Sequence, residues 1–217
     1  MAIKVCIANT QLPQAKATVT FSTLPMKKNI GILAFQGGVI EHQKILNSLG
    51  ATTKEVRSVK DLDDCDALII PGGESTTIGF FLEESGLMKA IQNKAKENFP
   101  IWGTCAGAIL LAKNIKADII PPHLGLMDIT VERNAYGRQL SSFETELEIP
   151  ELKIKDLKAA FIRAPIITNA EGKTRILAKV KNDIVLVQEE NLIASTFHPE
   201  LVGETRLHEY FLGLTKS

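Results

Sequence analysis

From Asn29 onward, short apolar runs alternate with longer stretches in which apolar positions recur every three or four residues. The runs Ile30 to Phe35, Ala67 to Ile70 and Ile101 to Thr104 are too short for helices, and their apolar positions are consecutive, which predicts strands buried on both faces. Thr52 to Val56 reads as a further strand. The helical period covers Val39 to Leu49, which Gly50 closes, then Ser75 to Glu84 and Leu87 to Asn98. Strands of this kind alternating with amphipathic helices predict a three-layer α/β fold, a mainly parallel central sheet with helices on both faces.

The second half is strand-rich. Ile129 to Val131, Phe143 to Ile149, Ala159 to Arg163, Ile176 to Val180, Asp183 to Val187 and Leu192 to Phe197 carry strand patterns, with a hairpin turn at Asn182-Asp183 and a closing helix over Gly203 to Leu214. Residues 1–28 differ from the rest: no acidic residue occurs before Glu41, and Pro13 and Pro25 sit among scattered polar residues. We therefore divide the chain into an N-terminal extension, 1–28, expected to be poorly ordered and dispensable for chemistry, and a domain at 29–217. The extension lacks the long apolar core and cleavage pattern of a secretory signal.

The predicted strand ends carry the candidate chemistry. Gly37, Gly72-Gly73, Cys105 and His198 each follow one, and ligands of open α/β sheets sit beyond the carboxyl ends of the strands. In Gly103-Thr104-Cys105-Ala106-Gly107 a cysteine stands at a tight strand-to-helix corner, where a Cβ at Gly103 or Gly107 would meet neighbouring backbone. The dipole and free N–H groups of the following helix would favour the thiolate there; the competing reading is an inert buried cysteine. His198-Pro199-Glu200 offers a base and a carboxylate, which in extended chain would point the same way, His198 to Cys105 and Glu200 to the imidazole. Ala106 N–H and the Gly72 or Gly73 N–H are candidate oxyanion donors. Pro71 to Thr77 could alternatively cradle phosphate or simply cap a helix through Ser75, but it lacks the lysine of a P-loop.

Composition narrows the partners. Lys plus Arg and Asp plus Glu both number 25, which provides no electrostatic footprint for nucleic acid or an anionic membrane surface. No apolar run approaches the ~20 residues of a membrane span. Three cysteines, Cys6, Cys65 and Cys105, form no metal or disulfide framework, and the four histidines have no zinc-motif spacing, so we expect a cytoplasmic protein without a metal site.

The segments GILAFQGGVIEH (31–42), LIIPGGESTT (68–77), IWGTCAGAILLAK (101–113), HLGLMDITVERNAYGRQLSSFE (123–144), FIRAP (161–165) and TFHPEL (196–201) resemble the class I glutamine amidotransferases, whose fold is flavodoxin-like. Within that family, PGGEST with VERNxxGRQ is similar to the glutaminase subunits of pyridoxal 5′-phosphate synthase. The resemblance implies hydrolysis of L-glutamine to glutamate and ammonia. The ammonia would pass to a (β/α)8-barrel synthase subunit in a hetero-oligomer, and no cofactor would be needed. By position it makes Cys105 the nucleophile, His198 the general base and acid and Glu200 the orienting carboxylate. It assigns Gly73, Glu74, Ser75, Arg133, Ile162 and Arg163 to glutamine binding. Rival readings are a glutaminase serving another synthase and a catalytically silent binding scaffold.

Overall fold

A computed structural model describes residues 27–133 and 142–215. The expected extension therefore lies outside the described residues except for Lys27 and Lys28, as does 134–141 of the VERNxxGRQ segment.

Four parallel strands open the fold: β1 (Asn29–Leu33), β2 (Thr52–Val56), β3 (Ala67–Ile70) and β4 (Ile101–Thr104). Between them run α1 (Val39–Ser48), α2 (Val59–Asp63), α3 (Ser75–Glu84) and α4 (Leu87–Lys96). After β4 come α5 (Ala106–Leu111), β5 (Ala112–Lys116), β6 (Met127–Glu132), β7 (Ser142–Ile149), β8 (Ile154–Ile162), β9 (Ile166–Ala170), β10 (Arg175–Val180), β11 (Asp183–Glu189), β12 (Leu192–Ser195) and α6 (Arg206–Leu214). The main sheet has the order β2-β1-β3-β4-β12-β11-β9-β6-β5, with β10 paired to β11; β7 and β8 form a separate antiparallel ribbon.

Strand β12 is the hinge of this topology. It is parallel to β4 and antiparallel to β11, so it ends the parallel half and starts the mixed half. Its carboxyl end thereby comes beside that of β4, which brings the segment at 196–200 to Cys105.

Side-chain alternation along the buried strands divides the core into two layers. Leu68 and Ile70 face a layer shared with Ile78, Leu82, Leu87 and Ile91 of α3 and α4 and with α5. Ile69 and Trp102 face the other, with Leu46 of α1, Leu207 and Phe211 of α6, and Leu157 and Phe161 of the ribbon. The helices thus cover both faces, as the pattern predicted, and the ribbon adds to the second layer.

The differences in detail have local causes. Helix α2 is one short turn closed by a capping box between Ser58 and Asp61, below the length at which apolar period can be read. The apolar run after Cys105 does not continue as helix: at Ala112 the backbone turns extended (φ −64°, ψ 140°) and starts β5, parallel to β6. Strand β9 follows Pro165 and is buried only at Ile167, too little for an apolar signal.

Candidate active site

Cys105 occupies the corner between β4 and α5 with φ 50° and ψ −103°, a conformation costly for a residue with a Cβ. The surroundings enforce it. Cys105 N–H donates to the Ser195 carbonyl of β12 at 2.8 Å, and α5 lies so close to its neighbours that there is no room for a Cβ at Gly103, against the Gly107 carbonyl, or at Gly107, against the Ile70 carbonyl. The small residues are thus required on both sides of the thiol, which is 8% exposed. Its Sγ is 4.0 Å from the Ile162 carbonyl oxygen at the end of β8.

His198 is 9% exposed, and its backbone N–H donates to the Ala160 carbonyl of β8 at 2.8 Å. The imidazole lies beside Cys105, both groups packing against Gly72, and its Nδ1 is 2.7 Å from Glu200 Oε1. Burial disfavours the charged ring, but the hydrogen bonds and charges of Cys105 and Glu200 outweigh it and push the His198 pKa up to about 10. The relation of His198 to Glu200 is not that of alternate residues in an extended chain. Pro199 is helical (φ −68°, ψ −28°) and Glu200 begins a short 3-10 turn, Glu200–Val202, so the carboxylate curls back under the ring. The pairing expected from the sequence is present, by a different backbone path.

The Pro71-Gly72-Gly73 loop approaches from β3. A Cβ at Gly72 would collide with His198 Cε1 and lie 3.3 Å from Cys105 Cβ, so only glycine lets this backbone lie against both groups. Gly73 has φ 146° and packs on Gln36 and Ile78. Ala106 is the first residue of α5, where the N–H has no intrahelical acceptor.

The remaining predicted residues divide. Ser75 is not the helix cap: Glu74 is, its carboxylate accepting from Thr76 N–H at 3.0 Å and Thr77 N–H at 2.8 Å. Although desolvation opposes it, these donors bring the Glu74 pKa down to about 2. Ser75 is buried in the first turn, and its hydroxyl has no protein partner among the described residues. Arg133 donates to Glu74 at 2.9 Å and to Thr76 Oγ1 and the Ile119 carbonyl at 3.2 Å each, so its guanidinium ties α3 to the segment after β5. Ile162 brings its carbonyl to the thiol, while Arg163 is exposed with φ 46° at the turn leaving β8.

The turn Gln36-Gly37-Gly38, whose Gly37 the sequence placed on the rim of strand ends, contributes contacts that the sequence did not specify. Gln36 Oε1 accepts from Glu74 N–H at 2.9 Å, Gly37 packs on the Gly72 carbonyl, and Gly38 lies against Glu200. Sequence reasoning missed His42 and His208, which are fully buried behind Glu200 with rings joined at 2.8 Å. The only available signal was their presence as polar residues on the apolar faces of α1 and α6.

A thiol at a strained corner, an imidazole beside it and a buried carboxylate on the far side of the ring lie together at the carboxyl ends of the strands of an α/β sheet, the arrangement of a glutamine amidotransferase fold. The chain belongs to the SNO glutamine amidotransferase family, whose family model matches residues 32–216. It is 50% identical over 187 residues to the pyridoxal 5′-phosphate synthase subunit PdxT of Desulforamulus reducens, covering 86% of this chain and 99% of that one. To the PdxT of Brevibacillus brevis it is also 50% identical, with 86% and 97% covered. A crystal structure of a glutamine amidotransferase is 44% identical and superposes with a TM-score of 0.81, covering 86% of this chain and 98% of the other. The structure of PurLQS from Thermotoga maritima, 19% identical, shares the fold with a TM-score of 0.62 over 88% and 100% of the two chains.

Proposed function

We propose that Cys105, His198 and Glu200 hydrolyse the side-chain amide of L-glutamine. The family and the PdxT relatives make the chain a glutaminase subunit of pyridoxal 5′-phosphate synthase; the residues, the steps and the partner's architecture are our reading. The observation that supports it is the placing of His198 beside Cys105, at its strained corner, with Glu200 2.7 Å from the far ring nitrogen.

Cys105 Sγ attacks the amide carbon. The oxyanion is received by Ala106 N–H and by a donor of the Gly72-Gly73 loop. The His198 imidazolium gives its proton to the departing nitrogen, releasing ammonia and leaving a thioester on Cys105. His198 then takes a proton from water, which attacks the thioester and frees glutamate. Glu200 holds the ring's orientation and stabilises its charge. Arg163, exposed beside Ile162, suits the substrate's α-carboxylate, for which a guanidinium fork donates two parallel bonds. Gly73, Glu74, Ser75 and Arg133 shape the opposite wall, with Arg133 acting first on Glu74.

The partner we assign is a (β/α)8-barrel synthase subunit that consumes the ammonia. Exposed Ile162 and Leu201, each next to a residue of the site, and Ile119, whose carbonyl holds Arg133, are apolar surface that docking would cover. Free Cys65 and Cys105 suit a reducing compartment, so we place the reaction in the cytoplasm. Among the described residues no helix is long and apolar enough to cross a membrane.

The test is ammonia release from L-glutamine by wild type and Cys105→Ala, alone and with the synthase subunit. We expect weak turnover alone, a rise on adding the partner, and none in the variant. Turnover that survives Cys105→Ala rejects the nucleophile, and wild-type turnover indifferent to the partner rejects coupling by docking.

A further inference from the structure

Behind the site a file of polar groups runs through otherwise apolar core. Glu200 is completely buried at its side chain; Oε1 accepts from His198, and Oε2 faces His42 Nε2 at 3.7 Å. His42 Nδ1 is 2.8 Å from His208 Nε2, and His208 Nδ1 is 3.2 Å from the Glu204 backbone carbonyl. Trp102 of β4 packs edge-on against both rings, with centroids 5.8 Å from His42 and 4.8 Å from His208. Among the described residues no three such groups are arranged to hold a metal ion.

The distances along this file favour one placement of its protons. A carbonyl can only accept, so His208 Nδ1 is the protonated nitrogen. A neutral ring then has a bare Nε2, which must accept from His42 Nδ1–H. A neutral His42 is in turn bare at Nε2, and that is the atom facing Glu200. Two neutral imidazoles hold two N–H groups, but the file has three contacts. The unfilled contact is the one at 3.7 Å, beyond hydrogen-bond length, and His42 Nε2 and Glu200 Oε2 are both buried atoms without a described partner.

Both rings are held neutral. Burial, then the neighbouring rings of His208 and His198, keep the His42 pKa well below its usual value. Burial lowers that of His208 to about 4, against the hydrogen bond and charge of Glu204. The other charged groups packed on the file are already engaged: Glu204 Oε1 accepts from Arg206 and Oε2 from Arg206 and Lys158 N–H.

We propose that His42 and His208 are positioning residues that present a bare nitrogen to the outer oxygen of Glu200, so that His198 is the one donor competing for this carboxylate. This rests on the triad reading above. An N–H aimed at Oε2 would draw charge from the carboxylate and weaken its support of the His198 imidazolium. The Glu204 carbonyl prevents that from a distance, by choosing the tautomer of His208 and through it that of His42.

The tautomers are read directly by 15N spectroscopy of histidine-labelled wild type at pH 7.5. We expect both rings to be protonated at Nδ1 and bare at Nε2; a protonated His42 Nε2 overturns the proposal. A pair of variants reads the consequence in the complex with the synthase subunit. His208→Leu removes the acceptor of His42 Nδ1–H and frees the ring to turn its proton toward Glu200, so the basic limb of kcat/KM should move down by about one pH unit. His42→Leu removes a ring of similar burial but supplies no donor, and the limb should stay where it is in wild type. Equal shifts in both, or none in His208→Leu, overturn the proposal, since a merely structural loss would lower turnover without distinguishing the two. If His198→Asn proved active, the triad reading would fail while the spectroscopic result still judged the tautomers.

Discussion

Replacing Gly72 by alanine separates the geometry of the site from its chemistry, because no reacting group is removed. Gly72 does not have a left-handed φ, so its backbone accepts a side chain without strain. The new methyl would lie inside the van der Waals surface of His198 Cε1, 3.2 Å from Nε2 and 3.3 Å from Cys105 Cβ. Relieving the overlap takes roughly 1 Å of movement, given ordinary carbon contacts of about 3.5 Å. The ring cannot simply retreat, because Glu200 holds Nδ1 at 2.7 Å and is itself fully buried. Either the ring tilts or the loop withdraws, and each spoils the imidazole–thiol approach or the oxyanion donor. A misplacement of about 1 Å costs on the order of 100-fold in rate, equivalent to about 2.7 kcal/mol of transition-state stabilisation. Overpacking costs a well-packed core about 1–3 kcal/mol of stability, and at this loop we expect the lower end. The assay is kcat/KM for ammonia release from glutamine by the complex, with a thermal melt of the free subunit as control. Gly72→Ala turning over within about threefold of wild type, with a normal melt, would refute the clamp between Gly72 and Glu200.

Cys105→Gly should be at least as stable as Cys105→Ala, since glycine relieves a backbone conformation worth about 1–3 kcal/mol of strain; a lower melting temperature for the glycine variant would contradict the strain read from φ 50° and ψ −103°. His198→Asn should lose more turnover than Glu200→Gln, because the latter keeps a polar group under the ring; full activity in either, measured as single-turnover ammonia release, rejects the triad. Stability should fall on acidification: His42 and His208 have lowered folded pKa values, so their contribution is complete above about 6.5 and is lost as pH drops toward 4, by up to about 1.4 kcal/mol per pH unit for each ring. His198 has the opposite sign, its contribution complete below about 6.5 and lost as pH rises through about 10. Melts from pH 4 to 10.5 check both limbs, and a melting temperature that climbs between pH 6.5 and 4.5 would refute the buried neutral pair.

Much of this protein is written locally in its sequence. The four parallel strands announce themselves by consecutive apolar residues or β-branched content, and three match the observed bounds, Thr52–Val56, Ala67–Ile70 and Ile101–Thr104. The corner at Cys105 is legible because tight approach needs glycine at 103 and 107, and that requirement is local to one strand-to-helix turn. Periodicity and turn chemistry act over a few residues, so a short window suffices to read them.

What the tertiary structure decided are meetings between residues far apart in the chain. His42 and His208 are 166 positions apart, and each alone is only a polar residue on an apolar helix face; their identity as a pair exists only once α1 and α6 pack on the same side of β4. The sequence alone allows Arg133 a surface ion pair with an unspecified partner, and only the fold, which brings the residue after β6 to α3, makes that partner Glu74. The helical turn at Pro199, which swings Glu200 beneath His198, closes on its own backbone bonds from Val202 and Glu204 to the Pro199 carbonyl, but its place beside Cys105 depends on β8, which holds His198 N–H, and on Gly38, against which Glu200 packs. Local preferences select strands, helices and corners; hydrogen-bond partners, tautomers and charge states depend on what burial leaves within reach, and only the folded chain determines that.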